Sequence, residues 1–190
     1  MYRNIIFRFI LLSLLSVGLN VFFSCQKRII RKELARMIDS EISIPHLHYA
    51  IFNGKDTVMH IAEDVNVKMI VFFDSTFCSS CHYPDMAFWG EVISYSKATQ
   101  LQFEPIFIFS PRKEDINLLK QNLIQSMFEW PLFIDESGTF IKINSIIPQD
   151  RRFHTFLLDY DNKIILVGNP INNDDLWSMY KEQILSRIIH

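Results

Sequence analysis

The order of strand-like and helix-like segments predicts an α/β domain: a central mixed β-sheet flanked by helices, with a hairpin near its start and a hairpin plus helix at its end. Three observations carry this. Val67 to Phe73 (VKMIVFF) and Phe103 to Phe109 (FEPIFIF) are nearly unbroken apolar runs, as expected of strands buried on both faces. Each is followed by apolar residues at helical spacing, the alternation that builds parallel βαβ units. The last third carries two short strand-like runs around a DYDN turn and then a helical segment, which adds an antiparallel hairpin to the sheet edge.

Taken in order, the chain opens MYRNIIFRFILLSLLSVGLNVFFSC, with Arg3 and Arg8 ahead of an apolar run from Phe9 to Phe23. About 15 apolar residues are short for a membrane span and read as an export signal. Its end at Ser24 and Cys25 resembles a bacterial lipoprotein signal, which implies lipidation of Cys25. An uncleaved signal anchor and a soluble secreted protein stay open. Each version puts the body of the protein outside the cytoplasm. The expected organisation is a signal over residues 1–24, the lipidated cysteine and a basic linker helix over 25–45, and one domain over 46–190. In the linker, Ile30, Leu34, Met37 and Ile38 recur at helical spacing among Lys27, Arg28, Arg31, Lys32 and Arg36. That is either a solvated spacer or a basic helix on anionic headgroups.

Strands are expected at Leu47 to Phe52 and Thr57 to Ile61, around an NGKD loop whose Asn53-Gly54 pair suits a hairpin turn. After the first apolar run a helix should reach about Lys97. Pro105 inside the second run hints at an irregular or edge position. A helix from Pro111 to Phe128 follows, acidic in its first turn. Short strands are expected at Leu132 to Ile134 and Phe140 to Ile143, then at Thr155 to Leu158 and Lys163 to Val167. A closing helix should run from about Asn173, capped by Asn172 or Asn173, to Ile189.

Composition excludes several function classes. Of 19 basic residues Arg3 and Arg8 lie in the signal, so 17 face 21 acidic ones, and no electrostatic case for nucleic acid exists. Seventeen phenylalanines and five glycines argue for a packed globule. With three cysteines in all and Cys25 in the signal, a disulfide-dense scaffold is excluded.

The remaining pair, Cys78 and Cys81, stands in FDSTFCSSCHYPDM directly behind the first buried run. A cysteine between a strand and a helix start meets peptide N–H groups that favour its thiolate. Cys78 is then the nucleophile towards a disulfide, and Cys81, beyond two intervening residues, resolves the mixed disulfide. The same string permits c-type haem attachment, with His82 as iron ligand. It also permits a zinc site from Cys78, Cys81, His82 and His154, or a structural disulfide. The strand–helix context favours the dithiol, with no cofactor and no metal. His46 and His48 in PHLHY are read as two polar positions on an exposed strand face, although metals can use such spacing.

VKMIVFF, STFCSSC and the following helix resemble the active-site segment of thioredoxin-like proteins. More narrowly, they are similar to the membrane-tethered TlpA-like thiol-disulfide oxidoreductases of the redoxin superfamily, which includes the AhpC-TSA proteins. PLFID (131–135) and FHTFLLDYDNKIILVGNP continue the likeness to about the C-terminus. The resemblance implies a thioredoxin-like fold, catalysis by Cys78 and Cys81, and protein disulfides or dithiols as clients, with a separate redox partner that recharges the pair. Phe77 stands where the family has tryptophan. Phe153 stands at the cis-proline position, which places His154 near the sulfurs, where an imidazolium would favour the thiolate. Arg151 and Arg152 are read as a solvated loop. Two functions are expected from this: an extracytoplasmic oxidoreductase in the bacterial envelope, or a non-catalytic binding module with a structural Cys78–Cys81 disulfide.

Overall fold

The two long apolar runs form the centre of a single sheet. The computed structural model describes residues 26–61, 65–74 and 86–188. Its strands are β1 (Tyr49–Phe52), β2 (Lys55–Val58), β3 (Val67–Phe73), β4 (Phe103–Phe109), β5 (Leu132–Ile134), β6 (Thr155–Leu158) and β7 (Ile164–Val167). Their spatial order is β2-β1-β5-β4-β3-β6-β7. β3, β4 and β5 run parallel, whereas β1 joins β5, and β6 joins β3, antiparallel. The mixed sheet expected from the sequence is therefore present, with a hairpin at each edge.

Helix α1 covers residues 26–37. The chain divides into two compact units between Arg36 and Met37. In the first, Lys27, Arg28, Arg31 and Lys32 are exposed, and Arg36 pairs with Glu33 at 2.9 Å. The second begins earlier than the expected residue 46. Asp39 N donates to Ile164 O and Ile42 N to Asn162 O, both at 2.9 Å, so this segment extends the free edge of β7. Backbone pairing of that kind leaves no hydropathy signature, which is why the stretch reads as linker.

Alternation along the strands divides the core into two layers. Met69, Val71 and Phe73 of β3 share one cluster with Phe103, Phe107 and Phe109 of β4. Helices α2 (Met86–Ala98), α3 (Ile116–Gln125) and α5 (Asp174–Ile188) fill it with Trp89, Val92, Leu123, Trp177, Tyr180 and Ile184. Burying each aromatic contributes on the order of 2–3 kcal/mol. Trp177 Nε1 donates to Glu91 Oε1 at 2.8 Å, and Tyr180 Oη to Gly168 O at 2.7 Å, which fixes α5 to α2 and to the end of β7. Asn173 Oδ1 accepts from Leu176 N at 3.0 Å, the expected cap of α5. On the other face Phe72 packs against Phe140 of α4 (Thr139–Ile143), ring centroids 5.1 Å apart.

Three local expectations fail for physical reasons. Phe140 to Ile143 is helical, not a strand: buried Asp135 accepts from Thr139 N at 3.0 Å and Phe140 N at 2.8 Å, satisfying the donors of a first helical turn. Pro105 lies in a central strand. Val67 N donates to Gln102 O and Ser110 N to Phe73 O, which puts the even residues of β4 towards β3, so Pro105 turns its missing N–H towards β5. There β5 pairs with residues 107 to 109 alone, and Pro105 O accepts instead from Trp130 Nε1 at 2.7 Å. Finally, the first hairpin turns on Asn53 and Gly54 alone. Both have positive φ (49° and 68°), so Lys55 and Asp56 belong to β2.

Candidate functional site

Cys25, Phe77, Cys78, Cys81 and His82 lie outside the described residues. The segment that carries the dithiol joins two described points, Asp74 just past β3 and Met86 at the start of α2. The walls around those points are well defined. A cavity of about 130 Å³ is lined by Phe73, Asp74, Trp89, Arg151, His154 and Asn169, among others. It sits at the C-terminal end of β3, where open α/β sheets place their ligands.

The loop before β6 supplies one wall. Asp150 Oδ1 accepts from Arg152 N at 3.0 Å and starts a 3-10 turn over Arg151–Phe153. Phe153 is buried, at 3% exposure, so the residue at the expected cis-proline position points its apolar ring into the core. All peptide bonds among the described residues are trans. His154 O accepts from Phe72 N at 2.9 Å, which ties this loop to β3.

His154 is 4% exposed. Its Nε2 lies 2.9 Å from Pro148 O. A carbonyl oxygen only accepts, so Nε2 carries the hydrogen and the lone pair of the neutral ring is on Nδ1. Among the described residues Nδ1 has no hydrogen-bond partner. Burial lowers the His154 pKa below its ordinary value, opposed by the Pro148 carbonyl and by Asp74 and Asp150 and reinforced by Arg151. Burial therefore favours the neutral ring over an imidazolium. Its Phe72 contact, with centroids 5.1 Å apart, fits the same apolar setting. Such a ring offers a buried base nitrogen, suited to accepting a hydrogen bond or a proton.

Charges frame the loop. Arg151 Nε stands 3.7 Å from Asp74 Oδ1, joining the 3-10 turn to the end of β3. Arg152 grips Asp150 through Nε at 3.0 and 2.9 Å, and that bond leads the causes that hold the Asp150 pKa below its usual range. The two arginines read as a solvated loop are indeed exposed, and each also pairs with a carboxylate. Sequence reasoning passed over Asp74, Trp89 and Asn169 as site residues. Asp74 carried a signal, being the first polar residue after an apolar run that ends the central strand. Asn169 carried none, because only the sheet brings the end of the last hairpin to this place.

Comparison with known proteins bears on the fold. No family model matches the chain, and no curated protein does. Among solved structures, a domain of a possible thiol-disulfide isomerase from Cytophaga hutchinsonii matches at 17% identity and a TM-score of 0.50, over 78% of this chain and 96% of that one. An uncharacterized thioredoxin-like protein from Porphyromonas gingivalis matches at 14% identity and 0.48, over 78% and 94%. The thioredoxin domain of a thiol-disulfide oxidoreductase from Bacteroides vulgatus matches at 14% and 0.44, over 75% and 99%. The fold is thioredoxin-like, a mixed sheet flanked by helices. Among the described residues no helix is long and apolar enough to cross a membrane.

Proposed function

We propose that this thioredoxin-like chain is an extracytoplasmic thiol-disulfide oxidoreductase. Cys78 attacks a disulfide of a client protein, and Cys81 displaces it from the resulting mixed disulfide. The first attack joins Cys78 Sγ to one client sulfur and releases the other as a thiolate. The second forms the Cys78–Cys81 bond and frees the reduced client. Two electrons have then passed from the dithiol to the client, and an exported redox partner returns them. The working group is a dithiol, so the reading needs no bound cofactor. Cys25 supplies a lipid anchor to an envelope membrane.

The observation that supports this reading is the chain order, in which CSSC follows the buried strand β3 and precedes α2, together with the cavity at the end of β3 into which His154 is built. A neutral His154 serves as a hydrogen-bond or proton acceptor near the reacting sulfurs, and Phe77 and His82 flank them. The Arg151–Asp74 pair holds the loop in place.

Cys81→Ser should leave a long-lived mixed disulfide at Cys78, visible as a client adduct that dithiothreitol releases. Wild-type protein should reduce insulin with a potential above about −300 mV. A potential well below that value without turnover would sink the catalytic reading. It would leave the non-catalytic binding module, which the buried Phe153 in place of a substrate-docking proline favours.

A further inference from the structure

The fold gathers three histidines far from the dithiol loop in sequence. His46 and His48 do not share a strand face: Leu47 N donates to Pro45 O at 2.8 Å, closing a tight turn about His46, and β1 starts at Tyr49. Pairing of Tyr49 with Val58 and of Met59 N with His48 O (3.1 Å) instead brings His60 alongside His48 at the open end of the first hairpin. Their Nδ1 atoms lie 3.1 Å apart. The ring centroids are separated by 4.8 Å and the planes are nearly perpendicular, at 82°.

As it stands the contact is a bent imidazole–imidazole hydrogen bond, and the same geometry also suits a shared ion. Two nitrogens at 3.1 Å, each about 2.05 Å from one metal ion, subtend about 98° at it, between square-planar and tetrahedral values. With each nitrogen about 1.15 Å from its ring centre, lone pairs converging on that ion would set the centroids about 4.8 Å apart, as found. A straight N–H···N bond of the same length would set them at about 5.4 Å. His46 makes no such nitrogen contact; its ring is parallel to that of His48, with centroids 6.4 Å apart.

We infer that His48 and His60 form a binding site for a divalent transition-metal ion such as Zn²⁺ or Cu²⁺, held through both Nδ1 atoms. Both side chains are exposed, so water completes the coordination and the ion exchanges readily. Among the described residues no group of three or more His, Cys, Asp or Glu side chains could hold a metal ion, so the proposed site has two protein ligands only.

The test uses the full-length chain in detergent with its thiols alkylated, so that cysteine binding, and the redox reading itself, stay out of the measurement. Zn²⁺ titration by calorimetry should give one equivalent bound. One equivalent of Cu²⁺ should show two imidazole nitrogens by electron paramagnetic resonance. His48→Ala and His60→Ala should each weaken binding by at least about tenfold, with unchanged circular dichroism, while His46→Ala stays within about threefold. Wild-type protein that binds neither ion, or His48→Ala and His60→Ala variants that bind as wild type does, would overturn the site. So would a His46→Ala loss as large as theirs.

Discussion

The His154 side chain is held by a hydrogen bond and by apolar packing, and each can be removed separately. Nε2 donates to Pro148 O inside a site almost closed to water. His154→Leu keeps bulk but leaves that carbonyl unpaired, which should cost about 1–3 kcal/mol in urea unfolding. His154→Gln supplies an amide donor and should cost less than about 1 kcal/mol. Equal losses in both variants would show that packing, and not the bond, fixes the loop. Part of this was readable in the chain: alignment of FHTFLLD put Phe153 at the cis-proline position and His154 next to it, in the loop expected to face the dithiol. The charge state was not readable, since it follows from burial of the ring against Phe72, which outweighs the opposing pull of an acceptor six residues upstream. Nor was the partner of Arg151, because Asp74 lies 77 positions away and only the β3–β6 pairing brings them together.

Elements were legible wherever hydropathy alone decides them. The runs that became β3 and β4 are apolar on both faces because helices cover one side and α4 the other, so their sequence needed no partner to be interpreted. Short elements depend on side-chain bonds that period analysis does not see, as Asp135 shows by turning a strand-like FIKI into α4. The Asn53-Gly54 hairpin shows both kinds of information at once. Asn-Gly announces a turn with two positive φ angles, but the close approach behind it is tertiary. A Cβ built on Gly54 would lie 2.3 Å from Met127 Sδ and 2.8 Å from Ile124 O. The thioether can swing away; the carbonyl, fixed near the end of α3, cannot. Gly54→Ala should therefore lose about 1–3 kcal/mol in urea unfolding, adding a left-handed backbone penalty to the clash. Asn53→Gly, with φ of 49° already tolerated, should change stability by less than about 0.5 kcal/mol. A Gly54→Ala protein as stable as wild type would mean that the hairpin does not rest on α3.

Across the whole molecule, two titrating groups at opposite ends of the central strands, half-buried Glu104 and buried His154, give stability opposite pH slopes. Glu104 pairs in register with Lys68 at the start of β3 and β4, and burial raises its pKa to about 7 from 4.5, against the pull of Lys68. The native state therefore keeps the Glu104 proton where the unfolded chain has released it. That contribution is full below about pH 4.5 and is lost as pH rises towards 7. His154 acts in the other direction: burial lowers its pKa from 6.5, so its contribution is full above pH 6.5 and is lost as pH falls towards the native value. The windows overlap below pH 6.5, and the wild-type profile should be flatter there than that of either variant. Asp150, lowered from 3.8, acts below this range. Glu104→Gln removes the falling limb, so its unfolding free energy should rise between about pH 5 and 7, whereas that of His154→Gln should fall. A shift of the size at Glu104 corresponds to at most about 3 kcal/mol over its full window. Urea unfolding at about pH 5, 6 and 7 separates the three profiles. A Glu104→Gln curve parallel to wild type would place the pH sensitivity elsewhere in the sheet and leave the Lys68–Glu104 end of the molecule electrostatically silent.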